Sequence, residues 1–133
     1  MNGRASKAKG YRAEVEGVEF YGEAGYWPEV ERNGNRYGPK DQGDLGRIPE
    51  WAIQIKNVAT ATLGAFVADA QEQAQNARKK YHAVHLKLRG RHMRRGLFIM
   101  SAEQGRRVMK ELEECRNAHQ GAALLRDEDQ DDE

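Results

Sequence analysis

The sequence predicts one mixed α/β domain in the order helix, three strands, helix, two strands, helix. Three observations lead there. Apolar residues recur at helical spacing near the N-terminus and again between residues 60 and 80. They crowd into short runs bounded by glycine, proline and aspartate from residue 45 to 57 and from 82 to 88. The chain has 133 residues, enough to bury one modest core and not two.

Met1 to Lys7 are small and polar and are expected to be a flexible N-terminus. From Ala8 to about Glu23, Tyr11, Val15 and Val18 recur at i, i+4 and i+7 and predict a helix buried on that side. Glu14 then borders the buried face. Gly25 ends the helix, and Tyr26 to Arg32 is a candidate strand in which Pro28 points to an edge or a strand start. Asn33 to Gly43 holds four glycine or proline residues in eleven and reads as a loop that delivers the chain to Asp44. Leu45 to Ile48 turns at Pro49-Glu50 into a strand from Trp51 to Asn57, which sets Asp44 roughly opposite Gln54. Alternation puts Gln54 and Lys56 on one face with Ala52, and Trp51, Ile53 and Ile55 on the other. Thr60 or Thr62 caps a second helix to about Lys80, with Leu63, Phe66, Val67, Ala70, Ala74 and Ala77 inward. His82 to Leu88 alternates as a strand, Gly90 to Gly96 is a loop, and Leu97 to Met100 is another strand. Ser101-Ala-Glu-Gln104 is a capping box that opens a last helix with Val108, Met109 and Leu112 inward.

The net charge of +1 hides an asymmetry: six of the 21 acidic residues lie in the last seven positions. Residues 1–125 carry 21 basic and 15 acidic side chains, a net of +6. A basic body suits a polyanionic ligand, and the acidic end either competes with it or keeps the protein in solution. The expected organisation is residues 1–7 flexible, 8–118 one domain and 119–133 a disordered acidic tail. A single cysteine, Cys115, excludes an intramolecular disulfide. No stretch reads as a signal peptide or a membrane span, so the expected location is the cytoplasm, with no membrane partner.

Hydrolysis of a phosphodiester needs a divalent cation held by oxygen ligands, a positioned water and a positive group near the reacting oxygens. Asp44, Gln54, the carbonyl of Ile55 and Lys56 form that inventory. Asp44 is the anionic ligand, Gln54 a neutral one, and Lys56 orients or deprotonates the water and stabilises developing charge. Glu14 binds the cation through water or holds a second one. Gln71, Gln73 and Gln75 make the second helix glutamine-rich, and a solvated helix face is a full reading of them. Asp41, three residues before Asp44, is the second choice for the aspartate. The four histidines show no ligand spacing with the lone cysteine, and no phosphate-binding loop of the Gly-x-x-x-x-Gly-Lys-Ser type occurs.

Lys9-Gly-Tyr-Arg-Ala-Glu14, Gly43-Asp-Leu-Gly-Arg-Ile-Pro49 and Ile55-Lys56-Asn57 before a glutamine-rich helix resemble the PD-(D/E)-x-K nuclease superfamily, over roughly residues 7 to 100. Within it they look most like the Holliday junction resolvase-type endonucleases of phages and archaea. The resemblance implies a restriction-endonuclease-like core: a helix, a three-stranded meander, a helix, further strands and a C-terminal helix, with a central mixed sheet flanked by helices. It implies a magnesium-dependent nuclease, with manganese able to substitute, acting in DNA recombination. Glu14, Asp44, Gln54 and Lys56 map onto the acid of helix one, the metal aspartate, the metal carboxylate and the catalytic lysine. Similar nucleases place a glutamine from the second helix near the metal-bound water or a phosphate, so the resemblance makes Gln73 a further candidate. Gln54 departs from the pattern, since most members carry a carboxylate there; Gln-x-Lys also occurs in relatives that resemble modification-dependent restriction enzymes.

Lys87, Arg89, Arg91, Arg94 and Arg95 around one loop, Arg78 and Lys79 after the second helix, and Lys7 and Lys9 before Glu14 are the expected contacts to DNA phosphates. The expected substrate is a four-way junction or other branched DNA. Two symmetric cuts need two active sites, so a homodimer is expected, with Trp27, Tyr37 and Trp51 at its interface or packed beneath the site. The competing expectations are a restriction or repair-type nuclease on duplex DNA, and a catalytically weakened DNA-binding protein.

Overall fold

A computed structural model describes residues 3–131 except Asn35 and 59–61. The expected class and element order are those of the structure. Helix α1 (Gly3–Tyr21) is followed by β1 (Glu31–Arg32), β2 (Leu45–Gly46), β3 (Trp51–Lys56), α2 (Leu63–Ala77), β4 (Tyr81–Leu86), a 3₁₀ turn (Met93–Arg95), β5 (Leu97–Ile99) and α3 (Ala102–Asp131). The chain forms two compact units, residues 1–100 and residues 101–133. In the first unit the strands lie in the spatial order β1-β2-β3-β4-β5. Only β3 and β4 are parallel, paired from Trp51 opposite Tyr81 to Lys56 opposite Leu86, and α2 supplies the crossover that a parallel pair requires.

Alternation along β3 sorts its side chains between two helices. Ile53 and Ile55 face α1 and join Ala13, Tyr21, Leu45, Ile48, Ala83 and Met93 in the core. Gln54 and Lys56 face α2, where the Lys56 ammonium sits 4.6 Å from the centre of the Phe66 ring. The buried stripe of α1 is Ala13, Gly17 and Tyr21, not Tyr11, Val15 and Val18: Tyr11 is 53% exposed, and Val15 and Val18 are half-buried. Small residues decide this, because a Cβ on Gly17 would lie 3.1 Å from Ile55 Cδ1. The helix therefore approaches the sheet on its smallest side chains.

Tyr26 to Val30 folds as successive turns, with Trp27 N–H donating to the Tyr21 carbonyl and Val30 N–H to the Trp27 carbonyl, so β1 is only its last two residues. β2 is cut short by Arg47, whose φ of 66° takes it out of the strand. In α2, Leu63 is 43% exposed while Ala70, Gln73 and Ala74 are buried. Arg78 ends that helix in the left-handed region at φ 55°, ahead of the expected end at Lys80. The Thr62 side chain makes no capping bond, and Thr60 lies outside the described residues.

In the second unit, the Gln104 N–H donates to Ser101 Oγ at 3.2 Å, as the capping box requires. The helix continues through Asp131, past the expected boundary at residue 118. Met109 and Leu112, expected inward, are 73% and 65% exposed. Arg106, Arg107, Lys110 and Glu113 surround them, so this part of the helix presents no continuous apolar stripe. Among the described residues no helix is long and apolar enough to cross a membrane.

Candidate active site

Asp44 sits where the β2–β3 ladder ends. Leu45 pairs with Ile53, and the Asp44 N–H donates to the Ile53 carbonyl at 2.9 Å. One step further along, the Asp44 carboxylate replaces the missing backbone partner: the Ile55 N–H donates to Oδ2 at 2.6 Å. The Ile55 carbonyl points to the same edge as its N–H, so it too faces the Asp44 side. Gly43 makes the approach possible. Its φ is 94°, and a Cβ there would meet the Ile53 carbonyl oxygen at 3.1 Å and the Ile53 nitrogen at 3.3 Å.

Asn33 locks this corner. Its N–H donates to the Asp44 carbonyl at 2.9 Å, and its buried Nδ2 donates to the carbonyls of Gly43 at 2.9 Å and Leu45 at 3.2 Å. Three consecutive carbonyls are thereby held by one residue. In the sequence Asn33 reads only as the first residue of a glycine-rich loop, and no spacing signal marks it.

Burial raises the Asp44 carboxyl from its ordinary 3.8 to about 7. The Ile55 N–H opposes that rise, while the charge of Glu14, a hydrogen bond shared with it and the charge of Asp41 add to it. Glu14 and Asp41 are therefore both within electrostatic reach of Asp44. Glu14 is itself held by Arg32 at 3.1 Å, whose guanidinium lies 4.3 Å above the Tyr11 ring; Arg32 is a second residue that the sequence does not single out.

Gln54 and Gln73 are each only 6% exposed, and the Oε1 of each has no hydrogen-bond donor. An unmatched buried carbonyl costs about 1–3 kcal/mol. Gln73 Nε2 donates to Asp41 Oδ2 at 3.0 Å, which links α2 to the loop before Asp44. Among the described residues no three His, Cys, Asp or Glu side chains make a metal cluster. What β3, α2 and the loop before β2 offer is a set of oxygens: the Asp44 carboxylate, the two orphan amide carbonyls and a backbone carbonyl. Oxygen donors with little net charge fit a hard cation such as magnesium, held loosely. A cation there would offset the burial that raises the Asp44 carboxyl and give a buried amide oxygen a partner.

Lys56 is brought to the same end of β3, but it docks on the Phe66 ring. Beyond it a basic cleft opens, lined by Lys9, Arg12, Asn57, Lys87, Arg89, Arg91 and His92. Of the expected phosphate-binding residues, Lys9, Lys87, Arg89 and Arg91 meet there, and Arg12 joins them. Glu16 lines an adjacent cleft that shares Arg12 and His92 with it, accepting from Lys87 Nζ at 2.6 Å and from the Met93 N–H at 2.7 Å. Lys87 and its neighbours hold Glu16 below the usual carboxylate range against the opposing effect of burial, which is the largest single influence. Arg94 pairs with Glu23 and lines a neighbouring cleft with Arg95. Lys7 is exposed on α1. Arg78 and Lys79 lie by the opposite end of the parallel pair, about 16 Å along the strands at 3.3 Å per residue, where Lys79 Nζ donates to the Ile48 carbonyl at 3.3 Å. Trp51 also lies at that end, stacked on Tyr81 with centroids 4.7 Å apart. Trp27 and Tyr37 are each 37% exposed.

Comparison with protein-family models, with curated proteins and with solved structures finds no match.

Proposed function

We propose that this chain is a magnesium-dependent DNA endonuclease, with manganese able to substitute. One observation carries the reading: the amide oxygens of Gln54 and Gln73 are buried and donorless, on a strand whose neighbouring Ile55 N–H is held by the Asp44 carboxylate and on the helix that Asp41 binds through Gln73. Asp44, Gln54 and the Ile55 carbonyl would hold the cation, with Glu14 reaching it through water. When bound, it supplies Lewis acidity toward a phosphoryl oxygen. Lys9, Arg12, Arg89 and Arg91 bind the DNA backbone without reading bases. Lys56 leaves the Phe66 ring, an interaction worth roughly 0.5–1 kcal/mol at an exposed site, and places its positive charge by the reacting phosphate.

The preferred substrate in this proposal is branched DNA, cut by a homodimer that brings two sites to one junction. Incubation with magnesium or manganese and matched four-way junction, duplex and single-stranded DNA tests it. Paired symmetric nicks in the junction support resolution, and cuts in linear duplex favour a restriction or repair role. Asp44→Ala and Lys56→Ala should each lower the rate by about 10²-fold or more. If Lys56→Ala cuts as fast as the parent, the assignment is wrong. A second reading, a DNA-binding protein that does not cut, is favoured by the amide of Gln54 standing where a carboxylate binds magnesium better. Under it the parent binds DNA inertly, and Gln54→Glu restores cleavage.

A further inference from the structure

Asp41 lies outside the set of oxygens assigned to the cation, yet three hydrogen bonds fix it. Its Oδ1 accepts from the Gly43 N–H at 2.9 Å, its Oδ2 from Gln73 Nε2 at 3.0 Å, and its carbonyl from Asn76 Nδ2 at 2.9 Å. Gln73 and Asn76 are three apart on α2 and so lie on one face. The loop before Asp44 is thus docked onto α2 at a single residue.

This pairing determines which way the Gln73 amide points. Both oxygens of the Asp41 side chain accept here, so the group facing Oδ2 is the amide NH₂. Turning the amide over would set Oε1 against Oδ2, acceptor against acceptor. The Gln73 carbonyl is therefore committed to its other side, where it is buried and has no donor.

We propose that Asp41 is a positioning residue that presents the Gln73 carbonyl as an additional oxygen ligand for the divalent cation beside Asp44. The inference rests on the reading that a cation binds there. It explains why a buried glutamine keeps an unmatched oxygen, and it gives Asp41 a part distinct from that of Asp44.

Asp41→Asn is the informative substitution. Asparagine can keep Oδ1 as acceptor for the Gly43 N–H, and Nδ2 then replaces Oδ2 and donates toward Gln73. The glutamine amide turns over and its NH₂ points at the cation. The test is calorimetric titration of the full chain with Mn²⁺ in the absence of DNA, for the parent, Asp41→Asn, Gln73→Met and the double variant, beside a cleavage assay of the parent. Loss of an orienting partner of a metal ligand costs about 10–100-fold in affinity, so each single variant should weaken Mn²⁺ binding by at least about tenfold. The double variant should be no weaker than Gln73→Met, because Asp41 acts through Gln73. Unchanged affinity in Asp41→Asn overturns the inference and leaves the nuclease reading standing. A parent that binds Mn²⁺ and cuts no DNA overturns the nuclease reading, while the affinities still decide the role of Asp41. A parent that binds no Mn²⁺ overturns both.

Discussion

Asp44 is half-buried and His85 buried, and burial acts on them in opposite senses. For Asp44 the folded carboxyl holds its proton up to about pH 7, whereas the unfolded one loses it near 3.8. The folded state binds more protons across that window, so cation-free protein loses stability as pH rises through it, by at most about 1.4 kcal/mol per pH unit. His85 is held by the Tyr21 hydroxyl at Nδ1 and the Met93 carbonyl at Nε2, both at 2.7 Å. The carbonyl requires a proton on Nε2, so Nδ1 accepts from Tyr21. Burial pushes the imidazole below its ordinary 6.5, against the pull of the Met93 carbonyl and Glu16. Its contribution is complete above that value and is lost as pH falls through the window beneath it. Asp44→Asn should therefore leave a chain whose urea midpoint, in EDTA, rises with pH toward neutrality, while the parent profile is flatter or falls. Added magnesium should stabilise the parent more at about pH 8 than at about pH 5, and the variant much less at either. Tyr21→Phe, which leaves Nδ1 without its donor, should cost about 1–2 kcal/mol of unfolding free energy.

The β2–β3 hairpin carries backbone strain as well as the site. Arg47 and Glu50 have φ of 66° and 68°, a region that costs a residue with a Cβ roughly 1 kcal/mol. Glu50→Gly should raise stability by about 0.5–1 kcal/mol in urea denaturation. Gly43→Ala acts in the other direction. Positive φ and a Cβ pressed on the Ile53 backbone predict a loss of about 2 kcal/mol or more, together with weaker Mn²⁺ binding as Asp44 shifts. This hairpin was the most legible part of the sequence: Pro49-Glu50 marks the turn, alternation assigns the faces, and the Leu45–Ile53 register follows locally. The α1 face was not legible, because Ala13 and Gly17 carry no apolar signal and their burial depends on the close approach of Ile55. Asn33 and Asp41 were equally silent as a clamp and an orienting group, since both act across distances that close only once the loop and α2 are in place. The α3 face misled for a related reason, three apolar residues being too few to overrule the charges around them.

At the scale of the molecule, charge is sorted along the parallel strand pair. Lys9, Arg12, Arg89 and Arg91 gather at the Lys56 end, while Arg78 and Lys79 stand at the other, which makes separable contributions to DNA affinity measurable. Removing one cation that neutralises a phosphate should reduce the slope of log affinity against log salt by about 0.9. Arg89→Ala with Arg91→Ala should thus lower it by about two in fluorescence anisotropy titrations, on any DNA sequence. The same pair of substitutions at Arg78 and Lys79 should change the slope less if DNA is centred on the Asp44 site. Asn33 has a consequence for how such a surface can diversify. It closes the loop that ends at Gly43 with its own side chain, so the position of Asp44 does not depend on the path taken between them. Doubling the length of a flexible loop costs only about 0.6 kcal/mol. Insertions between Gly34 and Lys40 should therefore be tolerated with the site intact, which makes this segment a place where descendants of the chain can acquire new substrate-binding groups without re-evolving the chemistry.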